Sequence, residues 1–150
     1  MLEIANEILN QIRAHGESAY PEEGAGFLLG STDEEQRQVI AILGLSNARE
    51  DVARHNRYLL TPQDYLRGEQ EGERLGLDVL GVFHSHPDHP NQPSEYDREW
   101  AMPWFSYLIT SVQAGRAGES RAWRLAEDRT AFVEEKIIVN RETRGENRDQ

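Results

Sequence analysis

A single α/β domain is what this 150-residue chain predicts, and three observations carry that reading. Helix signals bracket the segments 2–14 and 62–75. Short apolar runs of strand length, among them GFLLG, DVLGVF and FSYLITSV, alternate with those segments. The length suits one compact domain with one core, and no internal repeat or linker divides it.

The elements follow in order. Leu2, Ala5, Ile8, Leu9 and Ile12 recur at helical spacing, so residues 2–14 read as a helix closed by Gly16. GFLLG (26–30) and QVIAILGL (38–45) flank the acidic turn STDEEQ and read as a strand pair. The polar stretch 46–57 reads as a loop. Thr61, Pro62 and Asp64 supply an N-cap, an N1 proline and an N3 acid for a helix to about Leu75. DVLGVF (78–83) is nearly continuous in apolar residues, as a strand buried on both faces requires. Ser94 to Ala101 reads as a short helix and FSYLITSV (105–112) as a second buried strand. SRAWRL (120–125) puts Trp123 and Leu125 on one face, and TAFVEEKIIV (130–139) adds a last strand, or a strand plus a turn. The domain is therefore expected over residues 1–139, with the polar segment 140–150 a solvated tail.

Composition excludes several function classes. Hydrophobic residues make up 37% and charged residues 29%, as in soluble globular chains. No apolar run approaches the ~20 residues of a membrane span, and the N-terminus lacks a basic segment followed by an apolar one. The expected compartment is the cytoplasm. The balance of 16 Lys+Arg against 27 Asp+Glu, a formal charge of −11, argues against nucleic acid or an anionic membrane as partner. With no cysteine there is no thiolate nucleophile and no cysteine-based zinc site, so any metal must be held by histidine and carboxylate.

Polar chemistry concentrates in GVFHSHPDHPNQPSEYD (81–97). His84 and His86 follow directly from the buried strand. At i, i+2 in extended chain both imidazoles leave one face and can converge. Pro87 and the proline-rich DHPNQP stop the strand. Asp97, eleven residues after His86, falls in the first turn of the short helix, from which a carboxylate can reach back. Two histidines, a carboxylate and an open fourth position form the pattern of a catalytic zinc site. An isolated H-x-H carries little information, and SEYD is also a capping box, with Ser94 as N-cap and Asp97 at N3. Ser94 can cap with one lone pair and still offer its hydroxyl elsewhere. His89 reads as exposed in the loop, and His15 and His55 as solvated surface. Glu22 and Glu23, taken alone, read as a polar turn ahead of a strand.

HSHPDHPNQPSEYD resembles the H-x-H-P-x6-S-x2-D signature of the JAMM (MPN-plus) metalloproteases, with His84, His86, Pro87, Ser94 and Asp97 at the family's spacing. That family also places a glutamate three residues before a glycine that opens an apolar strand. In YPEEGAGFLLG this selects Glu23, 61 residues before His84, with Glu22 the substitute if the register slips by one. Bacterial-type members often carry cysteine just before that glycine, where this chain has Ala25. The resemblance spans roughly residues 1–139. It implies an α/β fold like that of the cytidine deaminases, a mixed β-sheet flanked by helices. It implies one Zn²⁺ per chain, held by His84, His86 and Asp97 with water as fourth ligand. Glu23 is then the general base and Ser94 the oxyanion donor.

The family's peptidases cut after the C-terminal glycine of ubiquitin-like proteins, and the small stand-alone type resembles processors of sulfur-carrier proteins. The implied partner is a carrier ending in Gly-Gly, its tail held by strand addition and gated by the 46–57 loop and Asp88–Pro93. A metal-free binding scaffold is the first alternative, opposed by the intact Glu23, His84, His86, Ser94 and Asp97 set. A DNA-repair-associated relative is the second, opposed by the charge and by the lack of a helix-hairpin-helix segment. A zinc deaminase would need a C-x-x-C that the chain lacks.

Overall fold

The computed structural model describes residues 1–34, 36–45 and 60–141. One eight-stranded mixed sheet runs β7-β6-β5-β4-β2-β3-β1-β8. Its strands are β1 (Leu2–Ala5), β2 (Ala25–Asp33), β3 (Gln36–Leu45), β4 (Asp78–Pro87), β5 (Ser106–Gln113), β6 (Arg116–Leu125), β7 (Phe132–Glu135) and β8 (Ile137–Asn140). Among the described residues three helices accompany it: α1 (Asn6–Ala19), α2 (Pro62–Leu75) and α3 (Glu95–Trp100). The expected mixed sheet with flanking helices is what forms. The 46–57 loop and His55 lie outside the described residues. β8 runs one residue past the expected domain boundary, and the rest of that tail beyond Arg141 is likewise outside.

The sheet curls. β7 and β8 stand at opposite ends of the strand order, yet only Lys136 separates them. Two Cα steps span at most about 7.6 Å, so the two edges must nearly meet. Leu2 N–H donates to the carbonyl of Lys136, the residue that links the two edges, at 2.9 Å. α1 fills the inside of the curl, where Ile8, Leu9 and Ile12 pack with Ile4, Leu28, Val39, Phe83 and Leu108. On the outer face Phe27, Leu29, Val82 and Tyr107 form a second cluster with Phe105 and Leu125, joined by Tyr65 of α2.

The N-terminal helix needs correction at both ends. Residues 2–5 are a strand paired in parallel with β3 and β8, because Leu2 and Ile4 gain a slot between two strands that a helical turn could not fill. Gly16 does not close the helix, which continues to Ala19. Without a side chain it lets α1 sit on β4 and β5: a Cβ there would lie 3.1 Å from both Ser85 Cβ and Val112 Cγ2. The final strand divides in two, one half going to each sheet edge.

α2 begins as expected, with a full Thr61/Asp64 capping box behind Pro62 and Gly76 in the left-handed conformation at its C-cap. Its fully buried residues are Gly68 and Gly72, so the helix is seated by close approach as well as by the Tyr65 ring against Phe27. A Cβ on Gly68 would stand 2.7 Å from Phe27 Cδ2. Gly68→Ala should therefore destabilise by about 1–3 kcal/mol through overpacking, although alanine is the better helix former by about 1 kcal/mol. Urea denaturation measures the balance, and a more stable variant would show that α2 can lift off Phe27 at little cost.

Candidate metal centre

The outer face of β4 ends in the site. Val82 belongs to the outer cluster, and the period of two carries His84 and His86 onto the same face. Both are buried, and their ring centroids stand 5.0 Å apart. β2 runs antiparallel to β4 with Ala25 opposite His84. The two residues before Ala25 therefore run back alongside Ser85 and His86, which brings Glu23 to the histidines across 61 positions of sequence. Glu23 is 5% exposed, and its Oε1 lies 3.6 Å from His84 Nδ1. Glu22 is half-buried.

Asp97 arrives from the other side, in the first turn of α3. Its Oδ2 lies 3.3 Å from His86 Nε2 and its Oδ1 3.7 Å from His84 Nε2. The Ser94/Asp97 capping box is complete: Ser94 Oγ accepts from Asp97 N–H at 3.1 Å, and Ser94 N–H donates to Asp97 Oδ2 at 2.7 Å. The cap and the approach to the histidines thus coexist, the cap fixing the carboxylate that faces them. Ser94 itself is exposed and lines a cleft of about 350 Å³ with Glu23, His86, His89, Pro90, Gln92 and Pro93.

The donors suit a divalent cation. His86 Nδ1 lies 2.8 Å from the Pro90 carbonyl, which can only accept, so Nδ1 carries the proton. In the neutral ring, Nε2 then points a lone pair at the Asp97 carboxylate. A proton on Nε2 turns that contact into an ion-paired hydrogen bond, and a metal cation in its place would take both lone pairs. Ligands about 2.1 Å from a tetrahedral zinc stand about 3.4 Å apart, close to the 3.3 and 3.7 Å found between Asp97 and the two Nε2 atoms. Glu23, His84 and His86 also offer ligand atoms within 4.8 Å of one another, but Glu23 meets His84 at Nδ1, away from the Nε2 atoms that converge on Asp97. Two carboxylates thus approach the histidines, Asp97 at the Nε2 atoms and Glu23 at His84 Nδ1.

Electrostatics follow the same lines. Burial opposes ionisation of Asp97, but His84, the His86 hydrogen bond and the Ser94 N–H outweigh it and hold the carboxyl at about 2. Burial pushes His86 down, yet the Asp97 carboxylate more than reverses this and its pKa is raised. Burial raises Glu23, with His84 only partly opposing.

The loop after the histidines is bound down along its length. Asp88 takes hydrogen bonds from Tyr20 Oη and Ala114 N–H, while its own N–H donates to the Val112 carbonyl. The His89 carbonyl accepts from Ser111 Oγ, and Asn91 is tied to Glu119 and Trp123. His89 is exposed as expected, and the segment expected to gate the tail is hydrogen-bonded to its neighbours at Asp88, His89 and Asn91. His15 is half-buried instead of solvated: it meets Phe83 edge-on at 5.4 Å and lies 3.2 Å from the Leu45 carbonyl, and burial lowers its pKa. Sequence reading also missed the Pro90 carbonyl, since a backbone acceptor leaves no trace in residue identity.

The chain has named relatives. Residues 5–126 match the family described as prokaryotic homologs of the JAB domain. A probable TtuB-protein conjugate cleaving protease from Thermus thermophilus is 30% identical over 117 residues, covering 76% of this chain and 74% of that protein. A desampylase from Haloferax volcanii is 36% identical over 109 residues, covering 71% and 74%. In fold, a JAB1/MPN domain protein from Archaeoglobus fulgidus superposes with a TM-score of 0.59 at 19% identity, over 92% of this chain and 98% of that one. With the match spanning α1, the histidine strand and the capped carboxylate alike, the chain belongs to the prokaryotic JAB family.

Proposed function

We propose that this chain is a cytoplasmic, zinc-dependent isopeptidase that hydrolyses the amide bond after the C-terminal glycine of a ubiquitin-like or sulfur-carrier protein. The expected domain of residues 1–139, extended by Asn140 at the end of β8, is its catalytic domain, and the polar residues that follow are a tail. One observation carries the chemistry: the Asp97 carboxylate oxygens lie 3.3 and 3.7 Å from the Nε2 atoms of His86 and His84, beside a cleft that His86, Glu23 and Ser94 line. The choice of substrate is supported by the relatives named as a conjugate-cleaving protease and as desampylases.

His84, His86 and Asp97 would hold one Zn²⁺ per chain. Zinc there supplies a Lewis acid for the scissile carbonyl and, by lowering the pKa of water to about 7, a nucleophile near neutral pH. Glu23 is the base that takes the proton of the attacking water and then delivers it to the leaving amine. An amine leaves poorly unless protonated. Burial favours that role, because a carboxylate held above its ordinary pKa is a better acceptor and is readily recycled. Ser94 uses one lone pair on Asp97 N–H, which leaves its O–H to donate to the oxyanion as the carbonyl becomes tetrahedral. The proline-bounded segment 88–93 holds the extended tail beside the cleft.

Three outcomes test this reading. Protein purified without chelator should carry about one zinc per chain by elemental analysis, and His84→Ala or His86→Ala should lose most of it. Full occupancy in the double variant would remove both as ligands, whereas a zinc-free wild type would favour a binding scaffold. Glu23→Gln should keep fold and zinc but lose at least ~100-fold in turnover of a Gly-Gly-tailed carrier fusion, with Glu22→Gln near neutral. The reverse pattern would move the base by one residue. Ser94→Ala should cost about 1 kcal/mol of stability as a lost cap and about 100-fold in rate as a lost oxyanion donor. A folded, zinc-loaded variant with near-normal turnover would reduce Ser94 to a helix cap.

A further inference from the structure

Between the two histidines stands a residue whose side chain points away from the site. Ser85 occupies the opposite face of β4 and is 3% exposed. Its hydroxyl accepts a hydrogen bond from Gly24 N–H at 2.8 Å, and its own N–H donates to the Gly24 carbonyl at 3.0 Å. These two bonds grip the residue that follows Glu23. They lie just past the last backbone pair of β2 and β4, Ala25 opposite His84, where a side-chain oxygen takes the Gly24 N–H.

α1 seals this junction. A methyl on Gly16 would stand 3.1 Å from Ser85 Cβ, and one on Gly24 would stand 2.8 Å from His15 Nδ1. Water has little room to replace the hydroxyl, so its loss would leave a buried N–H without an acceptor. The segment could recover that bond only by shifting, and Glu23 would shift with it. A misplacement of about 1 Å in a reacting group can cost about 100-fold in rate.

We infer that Ser85 is the positioning residue for Glu23: its buried hydroxyl, through Gly24 N–H, fixes the glutamate relative to the histidine strand. The inference rests on the reading of Glu23 as the base. It assigns Ser85 no contact with substrate or metal.

The test compares Ser85→Ala, Ser85→Thr and Ser85→Ala combined with Glu23→Gln, all in the zinc-loaded full chain. The probe is a Gly-Gly-tailed carrier joined through its last glycine to a fluorogenic amine. Ser85→Ala should keep about one zinc per chain, hold KM within about 2-fold and lower kcat by about 10- to 100-fold. Amide exchange at Gly24 should quicken at least about 10-fold, with Phe27 and Val82 unchanged. Ser85→Thr, which keeps the hydroxyl, should restore both kcat and protection. In the Glu23→Gln background, removing Ser85 should cost little further rate, since the group it positions is already disabled. Unchanged kcat in Ser85→Ala, unchanged Gly24 exchange, or an equal rate loss in both backgrounds would each overturn the proposal. A wild-type chain that binds zinc but cleaves no such probe would overturn the functional reading and this inference together. An active wild type matched by Ser85→Ala overturns this inference alone.

Discussion

Asp97 facing two histidine nitrogens is the constraint on which the rest of the site depends. His86 Nε2 and the Asp97 carboxylate stand 3.3 Å apart in a buried setting, a spacing that a shared proton or a metal cation would bridge. The fold commits several interactions to keeping them there. The Pro90 carbonyl selects the proton position on His86, and the Ser94 N–H holds the facing oxygen of Asp97. Neither interaction touches a metal, yet both decide where lone pairs point. Such second-layer contacts are what turn a set of ligand-type residues into a site of defined geometry.

The capping box shows how one motif can serve two purposes without compromise. A helix as short as α3 contributes little stability of its own, so its cap matters chiefly for orientation. Asp97 accepts from the cap backbone and faces the histidines with the same carboxylate. Ser94 spends a lone pair on the cap and retains its proton. The structural and catalytic readings of SEYD are therefore the same geometry seen from two sides.

Away from the site, the curl of the sheet places α1 against β1, β3, β4, β5 and β6. That packing covers the inner face of β4, where Ser85 meets Gly24, while the outer face carries the histidines. At the seam where the edges meet, buried Glu135 accepts from Ser106 Oγ and pairs with the Met1 ammonium. Arg37 joins the same end through the carbonyls of Leu80 and Trp104.

What the sequence determined by itself was local. The spacing of His84 and His86 in a strand, the Thr61 and Ser94 caps, the apolar runs of β2, β4 and β5 and the absence of cysteine are all set by residues near one another. Their reading needed only the periods of helix and strand. The signature at 84–97 was legible for the same reason, and the glutamate 61 residues earlier became legible only beside it. The tertiary structure decided whatever depended on a partner distant in sequence. Leu2 to Ala5 became a strand because β3 and β8 offered backbone groups on both sides. Gly16 stayed in its helix because β4 and β5 press against it. His15 was drawn inside by Phe83, and the loop 88–93 was pinned by β5 and β6. Hydrogen bonds to backbone, and burial between elements far apart in the chain, leave no periodic mark in residue order, and so only the folded arrangement could reveal them.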